Sequence, residues 1–120
     1  MINRQAYVWT ENGEIVAANF TLQSESRDWA LYPNYCFHRN GKIAELTSEL
    51  RTFYGGMVVR RDWIFDSDGR LLRSKEEFLD LATKELRKPG EDFIDEDIPQ
   101  YHQTSDLPFR SLLKKPDRHR

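Results

Sequence analysis

The groups in this chain that could do covalent or metal chemistry are few: Cys36, His38, His102 and His119. Cys36 and His38 are two residues apart, which puts both on one face of a strand and would make a thiol–imidazole pair. The spacing supplies no third group to orient the histidine, so the simpler expectation is a small buried thiol under an exposed loop histidine. None of the four has the CxxC or HxxxH spacing of a zinc site. The carboxylates Glu91, Asp92, Asp95, Glu96 and Asp97 lack the central glycine and ligand spacing of a calcium loop, and read as solvated loop. Arg60, Arg61 and Trp63, beside Arg51 on the adjoining strand, would form a basic aromatic patch able to stack and hold a base or an anion. Alternation sends Arg60 and Arg61 to opposite faces, which halves that patch. The expectation is therefore no catalytic residue, no metal site and no cofactor.

The most informative residues are aromatic, and a repeat positions them. A ten-residue phrase occurs three times: YVWTENGEIV at 7–16, YCFHRNGKIA at 35–44 and WIFDSDGRLL at 63–72. Gly13, Gly41 and Gly69 fall 28 residues apart, as do Trp9, Phe37 and Phe65. Fixed-period self-similarity marks a repeated structural unit. Alternating aromatics followed by Asn-Gly or Asp-Gly and an aliphatic residue spell a β-hairpin. Tyr7, Trp9, Tyr35, Phe37, Trp63 and Phe65 share one phase, so a curled sheet would line its concave side with them. Trp9, Phe37, Trp63 and Phe65 are the candidate ligand-binding residues, for a small apolar ligand held in that concavity. The competing expectation is that a helix and the C-terminal segment fill it as core.

Two hairpin registers compete. A two-residue turn would set Glu11 against Glu14 and Arg39 against Lys42, and like charges directly opposite are unfavourable. A three-residue loop with glycine in the bulge position sets Trp9 against Ile15, Phe37 against Ile43 and Phe65 against Leu71. Each such pair is worth roughly 0.2–1 kcal/mol, and the three glycines must then have positive φ. The bulged register is expected in all three copies. The phrase, aromatic-x-x-Asn-Gly-x-aliphatic, resembles short hairpin repeats found in bacterial surface and antitoxin-like proteins. The resemblance covers three ten-residue windows and implies hairpins, with no function attached.

Strands are expected at 6–10, 14–22, 35–38, 42–53 and 57–65, with a sixth from residue 70. Residues 74–88, SKEEFLDLATKELRK, carry a capping box in Ser74 and Glu77. Phe78, Leu81, Ala82 and Leu86 lie on one helical face, so a helix is expected there. The repeat argues for strand instead, because Phe78 is in phase with Leu22 and Leu50. A fifteen-residue helix, about 22 Å long, cannot cover six strands about 4.8 Å apart. Ile98, Leu107, Phe109 and Leu112 are therefore expected to pack onto the sheet as well. The fold class is α+β and mainly β: a twisted antiparallel meander of about six strands from three hairpins, with one C-terminal helix and a wrapping tail. Residues 1–113 form one domain, and 114–120 a disordered basic tail.

The totals agree with a single domain. Hydrophobic residues make up 38% and charged residues 32% of 120, but seven Phe, five Tyr and three Trp argue against disorder. A formal charge of −2 provides no basic field for nucleic acid, so no nucleic-acid partner is expected. No apolar run reaches membrane-span length. Residues 1–9 carry no signal core, so a cytoplasmic chain is the default, or an exported one if a signal was removed. Lone Cys36 excludes an internal disulfide. The leading functional expectation is a non-catalytic binding or protein-interaction domain, its partner a protein or a small apolar ligand. The alternative is a ligand carrier or small enzyme working through the aromatic face.

Overall fold

The computed structural model describes residues 2–53, 55–90, 93, 95–96 and 98–107, with side chains from residue 6 onward. Six strands follow one another: β1 (Ile2–Glu11), β2 (Glu14–Ser24), β3 (Trp29–Phe37), β4 (Ile43–Thr52), β5 (Met57–Phe65) and β6 (Leu71–Asp80). Each pairs antiparallel with the next, so order across the open sheet is order along the chain. Among the described residues the only helical element is one 3-10 turn, Thr104–Asp106. No described helix is long and apolar enough to cross a membrane.

The 28-residue period is a period of pairing. Leu22 faces Leu31 and Ala18 faces Tyr35; 28 residues on, Leu50 faces Val59 and Leu46 faces Trp63. Each hairpin also leaves one residue of its return strand unpaired: Val16, Ala44 and Leu72, where the register shifts. These bulges re-phase the strand by one residue. Buried Ile15 is accordingly followed by buried Ala18, Phe20 and Leu22, and buried Ile43 by buried Leu46 and Leu50.

The bulged register is present in the second and third hairpins. Gly41 N–H donates to His38 O at 2.9 Å and His38 N–H to Lys42 O at 2.8 Å; Gly69 and Asp66 repeat the pattern at 3.0 and 2.9 Å. Phe37 faces Ile43 and Phe65 faces Leu71. The first hairpin corrects the expectation. Asn12 (φ 51°) and Gly13 (φ 81°) both sit at positive φ, a two-residue mirror-image turn. Glu11 faces Glu14, and Ile15 faces Thr10 instead of Trp9. A one-residue slip sends every side chain of a strand to the other face. Tyr7 and Trp9 therefore lie on the face opposite Tyr35, Phe37, Trp63 and Phe65, and Val8 takes the inward place.

The helix expected over 74–88 is absent. Its first half extends β6, and Leu22, Leu31, Leu50, Val59 and Phe78 form one row across five strands. That row, with the ladder along β5, outweighs local helix propensity. After a turn at Leu81–Thr83 the chain doubles back. Asp80 N–H donates to Glu85 O at 2.8 Å and Arg87 N–H to Phe78 O at 2.9 Å, covering that end of the sheet edge. Pro33 lies within central β3. The β2–β3 ladder lapses between Asn19↔Asn34 and Leu22↔Leu31, where the proline ring has no N–H to offer.

One face of the sheet carries the core: Leu22, Leu31, Tyr35, Phe37, Ile43, Leu46, Leu50, Val59 and Phe65 are buried there. The C-terminal arm covers it. Leu107 is buried, and Phe93, Ile98 and Tyr101 pack against the cluster. Ile98 and Leu107 thus sit on the sheet as the sequence predicts, whereas Phe109, Leu112 and the tail 114–120 lie outside the described residues.

Candidate functional site

The two faces of the sheet offer different chemistry. On the covered face the arm is fixed at several points. Tyr35 donates its hydroxyl to Pro99 O at 2.5 Å, and burial, with Tyr101 beside it, pushes that phenol well above its usual range. Tyr101 lies against Phe20 and Tyr35, with ring centroids 5.7 and 5.4 Å away. His102 meets Phe65 edge-on. Arm and second hairpin share backbone bonds: Ile43 N–H to His102 O at 2.7 Å and Thr104 N–H to Gly41 O at 2.8 Å.

Arg61 holds the arm from β5. It donates to both carboxylate oxygens of Asp95, at 3.0 and 2.9 Å, and through Nε to Glu76 at 2.6 Å. Burial alone would lower its pKa, but the two carboxylates more than offset that and the net direction is upward. The basic patch of Arg51, Arg60, Arg61 and Trp63 is divided accordingly. Arg61 and Trp63 belong to the covered face, Arg51 and Arg60 to the other.

Of the four candidate ligand-binding residues, the sheet brings Phe37, Trp63 and Phe65 together under the arm. Phe37 and Phe65 are buried and Trp63 is packed against them in the same cluster. Trp9 stands apart on the opposite, open face, 50% exposed, with Tyr7 beside it at 59%. The first hairpin's slip alone accounts for the separation.

The open face is polar along its middle rows, with aromatic residues on β1 and a buried apolar row of Ala30, Val58 and Leu79 towards one end. Residues facing one another across the strands run Tyr7, Asn19, Asn34, Thr47, Asp62, Lys75, one from each strand. A groove of about 590 Å³ is floored by the β3–β6 part of that row and walled by Tyr32, Arg51, Arg60 and Glu77. The next row runs Trp9, Ala17, Cys36, Glu45, Ile64, Arg73.

The cations of the groove are paired with carboxylates. Glu49 accepts from Arg51 at 2.6 Å and from Arg60 at 3.1 Å, and Arg51 also lies 5.2 Å over the ring of Tyr32. Burial raises the Glu49 carboxyl, but the two guanidiniums outweigh it and hold it below the usual carboxylate value. Lys75 Nζ is 4.0 Å from Glu77. Glu45 is pushed up by burial and by the neighbouring Asp62 carboxyl, against the pull of Arg73. Asp62 Oδ1 is buried with no hydrogen-bond partner.

Cys36 departs from the buried thiol the sequence predicts. It is exposed, because alternation places it outward, opposite Glu45. Partial burial, with the Glu45 charge beside it, pushes its pKa up. His38 is half-buried, its Nε2 3.1 Å from Phe65 O, so it is engaged with the third hairpin. No group of three His, Cys, Asp or Glu side chains converges for a metal ion among the described residues.

Sequence reasoning missed the groove. Its residues are the ordinary outward positions of strands, and polar side chains there resemble any solvated face. Comparison with protein-family models, with curated proteins and with solved structures finds no match.

Proposed function

We propose that this chain is a non-catalytic binding domain that engages its partner through the open face. The observation that carries the reading is the placement of Tyr7 and Trp9. Two large aromatic rings stand half exposed on the face that carries the polar groove, two strands from its β3 wall, and the slip that puts them there sets Glu11 against Glu14. Aromatic anchors next to a few placed polar groups are the usual composition of a recognition site. Arg51, Arg60 and Lys75 are each paired with a carboxylate, which leaves them suited to hydrogen bonding and poorly suited to acid–base work.

The test is a ligand panel read by heteronuclear NMR on the intact chain. Neutral oligosaccharides, an extended polar peptide, mononucleotides and a small apolar ligand are each titrated. One class should shift the amides of Asn34, Thr47 and Asp62, and a Tyr7→Ala/Trp9→Ala chain should lose that response. Shifts confined to Tyr35, Tyr101 and Leu107 would instead favour a carrier using the covered face. A response unchanged in the double variant, or none from any class, overturns the proposal.

A further inference from the structure

We infer that the occupant of the open face is a neutral polyhydroxylated chain, an oligosaccharide lying across the strands; this rests on the binding reading above and specifies its ligand. Glu49 is shared by Arg51 and Arg60, Glu77 stands beside Lys75 and Asp62 adds a third carboxylate, so these three cations meet three carboxylates and the groove presents donors and acceptors with little net field. A nucleic acid needs an excess of cations to displace its counterions. This chain has a net charge of −2. A ligand carboxylate would have to break an existing pair to be bound.

Hydroxyl groups fit what remains. Each both donates and accepts, and the amides of Asn19 and Asn34 and the hydroxyl of Thr47 do the same. These three occupy consecutive strands in one row that begins at Tyr7. At about 4.8 Å per strand the row spans about 24 Å, the length of a short chain and far more than one small molecule needs. The exposed rings of Tyr7 and Trp9 supply the flat apolar surface on which the C–H face of a pyranose rests while its hydroxyls stay wet. A peptide is a poorer fit. Its backbone would seek an unpaired strand edge, whereas this row crosses the strands and leaves their ladders intact.

The probes are the neutral hexaoses of cellulose, chitin, xylan, laminarin and starch. Each is titrated against the intact chain by NMR and by tryptophan fluorescence. At least one should bind, with amide shifts at Asn34 and Thr47. Trp9→Ala should weaken it at least tenfold, and Trp9→Tyr should restore it to within a few-fold, since the requirement is for a ring. Affinity should change less than twofold between about 50 mM and about 0.5 M salt, because no ionic contact forms. Circular dichroism should match across the variants, Trp9 being exposed. Binding of none of these probes overturns the inference. So does binding only of a sulfated oligosaccharide, or only of an oligonucleotide with steep salt dependence. If the extended peptide binds through Tyr7 and Trp9 and no sugar does, the ligand assignment fails and the binding-domain reading stands. If nothing binds at the open face, both fail.

Discussion

The first and second hairpins are written in nearly the same words and fold differently. Both carry an aromatic, Asn-Gly and an isoleucine at matched positions. In the second, Phe37 faces Ile43 under the arm; in the first, Trp9 turns to solvent and Ile15 faces Thr10. The loops also differ in the bonds that brace them. Asn-Gly alone prefers the two-residue mirror-image turn, and the first hairpin adopts it. The three-residue loop of the second is bonded to the arm, Thr104 N–H to Gly41 O and Ile43 N–H to His102 O, and Asn40 Oδ1 accepts from Lys42 N–H; the third takes the same turn with Asp66 Oδ1 accepting from Asp68 and Arg70 N–H. The turn register thus decides which face a strand shows, and so whether its aromatics become core or surface.

The widest gap should appear between equivalent aromatics. Phe37→Ala removes a buried ring from the cluster and should cost about 3–5 kcal/mol. Trp9→Ala, at the same place in the phrase, should cost about 0.5 kcal/mol or less, as exposed substitutions do. Urea unfolding of the two variants measures both. Comparable losses would mean that Trp9 packs inward, and that the slip in the first hairpin is absent in solution.

How much of this was legible in the sequence follows the same divide. Turn chemistry is local, so three hairpins with positive-φ glycines could be read from Asn-Gly and Asp-Gly. The phase of Phe78 with Leu22 and Leu50 signalled the sixth strand. Yet SKEEFLDLATKELRK has good helix propensity, and only the ladder along β5 settles the matter. The first hairpin's register was not legible, because Asn12-Gly13 suits both turns and no contact like that of Thr104 with Gly41 distinguishes it. The open face was hidden for a different reason: Asn34, Thr47 and Asp62 become a row only once six strands are in register.

The glycines sharpen the comparison at smaller scale. Gly13 and Gly41 both have positive φ, but a Cβ on Gly13 meets nothing within 4 Å, whereas one on Gly41 would stand 3.2 Å from Thr104 Oγ1. Gly13→Ala should therefore cost only backbone strain, about 1 kcal/mol. Gly41→Ala should cost more, up to about 3 kcal/mol, because it also presses on the arm. Amide exchange at Thr104 should accelerate in the Gly41 variant and stay unchanged in the other. Equal destabilisation without that acceleration would separate the arm from the second loop.

A stabilising change should come from the like charges of the first turn. Glu11 faces Glu14 across the two-residue loop. Glu11→Lys turns repulsion into attraction and should raise stability by roughly 0.2–1 kcal/mol. The gain should shrink in high salt. No gain in a thermal melt at low salt would argue that the two residues are not directly opposed.

The smallest effect on stability, and the most direct reading of register, comes from a thiol. Cys36 and Val8 are 28 residues apart, yet Cys36 faces the open side and Val8 packs against the core. A thiol reagent should label Cys36 stoichiometrically in the folded chain, because the side chain is exposed. Labelling should nonetheless be slower than for free cysteine at neutral pH. Partial burial and the Glu45 charge raise the thiol pKa, so less of the reactive thiolate is present. Rising pH should speed the reaction, and Glu45→Gln should speed it at fixed pH by removing the like charge. A Val8→Cys/Cys36→Ala chain moves the thiol to the matching position of the first hairpin. There it should be shielded, reacting many-fold more slowly than Cys36 at the same pH, with its rate insensitive to Glu45→Gln. If the two thiols react alike, positions 8 and 36 point the same way. The first hairpin would then share the bulged register of the second, and Tyr7 and Trp9 would belong to the core.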